Sequence, residues 1–182
     1  MQKNIYWVIG LGNPGEEYKE SRHNTGRMAV DYFKSKSQIS NTKKIQIIES
    51  GEFMNNSGKA VAKVIKNKKQ AENFIVVHDD IDLPLGTLKI SFNKGTGGHR
   101  GLDSVVKALK TKEFVRVRIG ISPTTPSGKI KKPQGEQKVL DFILKKFKPA
   151  EMIVLKKVLK KSSEAISTIV EEGREKTMNM FN

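Results

Sequence analysis

Apolar residues recur along this chain in two rhythms. Short, nearly unbroken runs at residues 5–9, 45–48 and 74–77 have the length and β-branched content of buried strands. Residues 88–92 alternate and supply a further strand, and residues 115–120 alternate as a half-exposed strand should. Between these runs the spacing changes to three and four. Residues 28–33, the set Ala60, Val61, Val64 and Ile65, and the set Leu102, Val105, Val106 and Leu109 each predict one face of a helix. A closing helix over 150–172 carries Ile153, Val154, Val158 and Leu159 as its stripe, with Gly173 as its C-cap. Strands alternating with helices imply an α/β fold: a single-domain sandwich over residues 1–182, its twisted, mostly parallel or mixed sheet flanked by helices. Residues 122–137, rich in Pro, Gly, Ser and Lys, read as a mobile loop inside that domain, and residues 174–182 as a frayed tail.

Composition narrows this picture. A chain of 182 residues is long enough to bury a proper core as one domain. Cysteine is absent, which excludes a disulfide framework and a thiolate zinc site. No apolar run approaches the roughly 20 residues that span a bilayer, and the N-terminal residues lack a secretory pattern, so a soluble, cytoplasmic protein is expected. The net charge of +15 and pI of about 9.9 favour a polyanionic partner, nucleic acid before an idle lysine surface. Residues 129–161 are especially lysine-rich and carry few acids, a block that builds a directed field. Charge alone does not separate RNA from DNA or an anionic membrane.

Candidate chemistry sits at the turns. Gly10–Leu11–Gly12–Asn13–Pro14–Gly15 leaves the first strand and spells a dinucleotide fingerprint. A dinucleotide turn, however, starts a helix at once with its amides on the pyrophosphate, and here Glu16 and Glu17 would oppose those phosphates. What the turn offers instead is Asn13 beyond a strand end. Ser21–Arg22–His23–Asn24–Thr25–Gly26 places a histidine in a polar loop before a helix; position alone suits a surface or capping role as well as a catalytic one. Phe53–Met54–Asn55–Asn56–Ser57–Gly58 opens the next helix, with Asn56 or Ser57 available as cap and Asn55 left for a ligand. His78–Asp79–Asp80–Ile81–Asp82 follows a strand. Its carboxylates would need further oxygen ligands to hold Mg²⁺, and alternation sends His78 and Asp79 to opposite faces, so both cannot face one site. Gly95–Thr96–Gly97–Gly98–His99–Arg100–Gly101 is a flexible turn or a place of close substrate approach.

On these motifs the chain, from about residue 5 to residue 147, resembles the bacterial-type peptidyl-tRNA hydrolases. The resemblance implies that His23 is the general base and Asp79 its partner, which leaves His78 as a packing residue at the strand end. It assigns Asn13, Tyr18, Phe53, Asn55, His99 and Arg100 to the substrate, with His99 standing where the family has a second active-site histidine. Arg118 matches an arginine used near the tRNA 5′ phosphate. The lysine expected beside it aligns with Ser91, leaving Lys89 or Lys94 as substitutes, and Lys145, Lys146 and Lys148 complete the expected phosphate contacts. The implied reaction is hydrolysis of the peptide–tRNA ester by activated water, with no metal and no organic cofactor, in a monomer.

Two departures stand out. The family has asparagine where this chain has Arg100, and guanidinium donates hydrogen bonds but accepts none. Residues 35–42 are too short and polar to supply the family's hairpin partner for the strand at 45–49. These departures keep a second reading open: a non-catalytic RNA-binding protein on the same fold, as the plant organellar intron-splicing factors that resemble this family are.

Overall fold

The computed structural model describes residues 5–36 and 45–182. Among these residues five strands form one sheet: β1 (Tyr6–Gly10), β2 (Ile45–Ile47), β3 (Phe74–Pro84), β4 (Leu88–Phe92) and β5 (Val115–Ser122). Their spatial order is β2-β1-β3-β5-β4; β2, β1, β3 and β5 run parallel, and β4 pairs antiparallel with β5. This is the expected mixed sheet. The segment proposed as too short for a hairpin partner falls largely on residues outside the described ones.

Among the described residues, seven α-helices flank the sheet: α1 (Thr25–Lys36), α2 (Ser57–Val64), α3 (Lys68–Glu72), α4 (Arg100–Leu109), α5 (Glu136–Leu144), α6 (Pro149–Glu172) and α7 (Arg174–Phe181). Strand alternation splits the core in two. Val8, Ile75, Val77, Val117 and Ile119 meet Phe33 of α1 and Leu155, Val158 and Ile166 of α6. Trp7, Ile9, Phe74 and Val76 meet Val61 of α2 and Leu102 and Val105 of α4 on the other face. α1 approaches the strand ends closely enough to require glycine. A Cβ on Gly10 would strike the Gly26 carbonyl, and one on Gly26 would strike the Val77 carbonyl. That packing brings the His23 turn against the C-terminal ends of the parallel strands, where open α/β sheets bind ligands.

Four sequence expectations need correction. β3 runs on through His78–Pro84, because β5 pairs with it as far as Asp80 and again at Pro84. β5 is not half-exposed: Arg116 is 1% exposed, its guanidinium donating to the carbonyls of Lys94 and Gly95 and lying over Phe114. The expected loop at 122–137 ends in an unforeseen helix, α5, and carries a Thr124–Ile130 bridge. Finally, residues 174–181 form α7 rather than a frayed tail. The Thr177 hydroxyl donates to the Gly173 carbonyl, and the Asn182 side chain accepts from the Ile90 amide and donates to the Ile90 carbonyl.

Candidate active site

The strand ends, the Arg22–Asn24 turn and the first residues of α4 and α5 enclose a cleft. At its floor lies Asp79, 2% exposed. His23 Nδ1 is 3.0 Å from Asp79 Oδ2, and His99 Nε2 is 3.0 Å from Asp79 Oδ1. Burial alone would raise the Asp79 carboxyl, but His23 and His99 facing it outweigh burial and hold it below the usual carboxylate range. An ionised carboxylate only accepts, so both of these ring nitrogens carry the protons. The tautomers follow from the partners. Neutral His23, protonated at Nδ1, keeps its lone pair on Nε2, at the cleft that it lines. His99, protonated at Nε2, accepts the Leu102 amide at Nδ1 (3.3 Å) and so caps α4. His99 therefore has both nitrogens engaged, and His23 has one in reserve.

His78 belongs to this constellation, contrary to expectation. It does lie on the opposite sheet face from Asp79, but the cleft wraps over the strand end, and His99 stands between them. The His99 ring centroid is 4.8 Å from that of His23 and 5.1 Å from that of His78, the latter edge to face. His78 Nδ1 donates to the Asp79 carbonyl (2.7 Å). Burial first, then His99, push the His78 imidazole down to about 3, so it is neutral throughout the physiological range.

Asn13 is held with equal care. Its side-chain oxygen accepts the Met54 amide (2.8 Å), which leaves its NH₂ group as the free donor. Asn24 clasps the Asn13 backbone twice, accepting from its amide at 2.8 Å and donating to its carbonyl at 2.9 Å. Arg27 also donates to the Asn13 carbonyl and to that of Ser50. Asn55 is exposed at the rim, in the turn Met54–Asn56. Neither Asn56 nor Ser57 caps α2 with its side chain; the Ser57 hydroxyl donates to the Met54 carbonyl instead. Tyr18 and Phe53 meet edge to face with centroids 6.4 Å apart, and Phe53 is 52% exposed.

The expected phosphate contacts divide. Lys89, Lys94, Lys145, Lys146 and Lys148 are all exposed. Arg118 is not free: its Nε donates to Asp80 Oδ2 at 2.8 Å, both side chains being 12% exposed. Arg100 reaches Glu136 at 2.9 Å in an exposed pair. The three aspartates do not converge as a Mg²⁺ site, since Asp82 pairs with Lys132 and Asp80 with Arg118. Among the described residues, His23, Asp79 and His99 are the group able to hold a metal ion, with ligand atoms within 4.8 Å of one another. Sequence reasoning missed the roles of Asn24, Met54, Arg27 and Glu136. Asn24 had a signal, in that a second amide stands directly beside His23 in its motif.

A carboxylate-braced imidazole with one free nitrogen and adjacent amide donors is the equipment of a hydrolase that activates water directly. The comparisons agree. Residues 7–182 match the model of the peptidyl-tRNA hydrolase family, and the chain belongs to that family. Similar proteins include the peptidyl-tRNA hydrolases of Pseudothermotoga lettingae, 40% identical over 96% of this chain and 95% of its own length, and of Persephonella marina, 35% identical over 96% of each. The crystal structure of peptidyl-tRNA hydrolase from Acinetobacter baumannii superposes with a TM-score of 0.80 at 25% identity, covering 100% of this chain and 96% of that one.

Proposed function

We propose that the protein hydrolyses the ester joining a peptide to the 3′-terminal ribose of tRNA, releasing tRNA for translation. Nε2 of His23 takes a proton from water. The resulting hydroxide attacks the ester carbonyl, and the ribose oxygen leaves and is protonated by the imidazolium. An ester leaves readily enough that no covalent nucleophile is required. Asp79 orients His23 and stabilises the imidazolium formed in the attack. The free NH₂ of Asn13 and the side chain of Asn55 hold the acyl group, and either can donate to the oxyanion as it develops. Tyr18 and Phe53 offer aromatic faces to an unstacked base of the single-stranded 3′ end. The exposed lysines grip phosphates without reading sequence. This chemistry calls for no metal or cofactor, and a cytoplasmic monomer is the natural form of such an enzyme; among the described residues no helix is long and apolar enough to cross a membrane.

The observation that carries the reading is the division of roles over one carboxylate: His99 has both nitrogens bonded, whereas His23 keeps one for water. Turnover of peptidyl-tRNA by the purified protein tests it. His23→Ala is expected to lose about 10²–10⁴-fold in rate while still binding tRNA. Tight tRNA binding without any turnover by the wild type would favour the non-catalytic RNA-binding reading instead.

A further inference from the structure

Helix α5 forms one wall of the cleft and is fastened very differently at its two ends. At its C-terminal end the Arg22 side chain, 6% exposed, pairs with Glu151 at 2.6 Å and donates to the Lys146 carbonyl at 2.7 Å. The same guanidinium lies over the rings of Phe142 and Phe147. At the N-terminal end the tie to α4 is the Arg100–Glu136 pair, whose side chains are 58% and 86% exposed. That pair joins the first residue of each helix across the cleft. Two chambers, about 550 Å³ and about 430 Å³, share His23, Arg100, Leu140 and Ile143 as walls, and Glu136 lines the larger of them. Glu136 also stands out chemically, as a carboxylate at the mouth of a site built for a polyanion.

We propose that Arg100 and Glu136 form a latch. On this view, which rests on the peptidyl-tRNA reading above, a phosphodiester near the scissile ester takes Arg100 from Glu136, and the freed N-terminal end of α5 swings aside about its Arg22 anchor. Exposed ion pairs are weak and screened by salt, so the exchange is easy. Guanidinium matches phosphate as well as it matches carboxylate, and Glu136, once released, moves away with the end of α5 that carries it. Glu136 is thus a built-in competitor of the substrate, and Arg100 gives this chain a switchable contact that the neutral family asparagine lacks.

The test is a double-mutant cycle on KM for peptidyl-tRNA with wild type, Glu136→Gln, Arg100→Asn and the double variant. Glu136→Gln is expected to lower KM about twofold to fivefold at low salt, and Arg100→Asn to raise it. The double variant should match Arg100→Asn, because Glu136 competes only for Arg100. Hydrogen exchange in the first turn of α5 should rise in Glu136→Gln, with the last turn unchanged. The latch is refuted if Glu136→Gln lowers KM by the same factor in the Arg100→Asn background, which would make Glu136 a generic repulsive charge. It is equally refuted if Glu136→Gln raises KM. Should none of the four proteins turn over substrate, the hydrolase reading fails, and the same cycle on tRNA Kd still decides the latch.

Discussion

His78 should make this protein lose stability in mild acid, and by an amount that can be measured. Its pKa falls from 6.5 to about 3 on folding, chiefly because burial penalises the imidazolium, with His99 adding to the effect. The folded-state value is the lower one, so the stabilisation is fully present above pH 6.5 and is lost as pH falls towards 3. At pH 5 the unfolded chain binds the proton and the folded chain does not, over one and a half units, worth about 2 kcal/mol. Asp79 does not confuse this window: its carboxyl is also depressed, but that stability starts to fall only below about pH 4, where an unfolded aspartate titrates. His78→Gln keeps a donor for the Asp79 carbonyl and removes the titration. Urea unfolding of both proteins between pH 8 and pH 5 is the assay, and the quantity of interest is the change in ΔG with pH, since subtraction cancels every group that titrates alike in both. The wild type should lose about 2 kcal/mol more than the variant. Parallel pH profiles, agreeing to within roughly 0.5 kcal/mol, would mean that the folded protein protonates His78 without cost and would refute the argument.

Two further outcomes concern the reaction and the substrate. Asp79→Asn should reduce kcat by about 10²-fold or more, because an amide cannot accept both histidine protons or balance the imidazolium; wild-type activity in EDTA should be full, and inactivation by chelator would point to a metal at His23, Asp79 and His99. Replacing Lys145, Lys146 and Lys148 by Gln should raise KM and flatten a slope of log K against log[salt] that is about −2 to −4 for three or four phosphate contacts; an unaltered salt dependence would make that block an idle solvated face.

Local pattern carried the sheet and much of the site, and failed where distant contacts decide conformation. The runs at 5–9 and 74–77 are strands because their residues are buried on both faces, which apolar composition reports directly. His78–Asp82 continues β3 despite its polarity because the polar residues line the cleft at the strand end. α5 was hidden by the Pro-, Gly- and Lys-rich stretch before it, although Val139, Leu140 and Ile143 carry helical spacing; all three line the cleft at the edge of the core. α7 opens on a polar turn, packs Met178 and Phe181 against the core and is pinned by Asn182 to Ile90, 92 residues away, which no local window contains. The motif residues were legible because Asn13 and His23 stand beside sharp turns and Asp79 follows directly on the apolar run 74–77. Their supports were not, since Asn24 and Met54 act through a side-chain oxygen and a backbone amide rather than through a type of residue that advertises chemistry.

The net charge of +15 was read as a sign of a polyanion, and the structure divides that charge by residue type. Arginines are largely spent inside the molecule. Arg27 ties the Asn13 loop to Ser50, Arg116 holds the carbonyls of Lys94 and Gly95 in the loop leading to His99, and Arg22 holds the α5–α6 turn. Arg118 is committed to Asp80. A planar fork of five donors can bind two carbonyls at once and stack on a ring, which an ammonium cannot. Burial even pulls Arg116 down to about 10, with Arg118 contributing, yet it remains charged at neutral pH. These charges still add to the long-range field that steers a polyanion. They are not available to touch it. On the proposed function, contact therefore falls to the exposed lysines and to Arg100, the one arginine of the cleft held only by an exposed partner. Arginine-to-lysine changes at Arg22, Arg27 or Arg116 would keep the net charge and untie a loop. Lysine-to-arginine changes at the surface would keep both, so the sign of the charge matters at the surface and its shape matters inside.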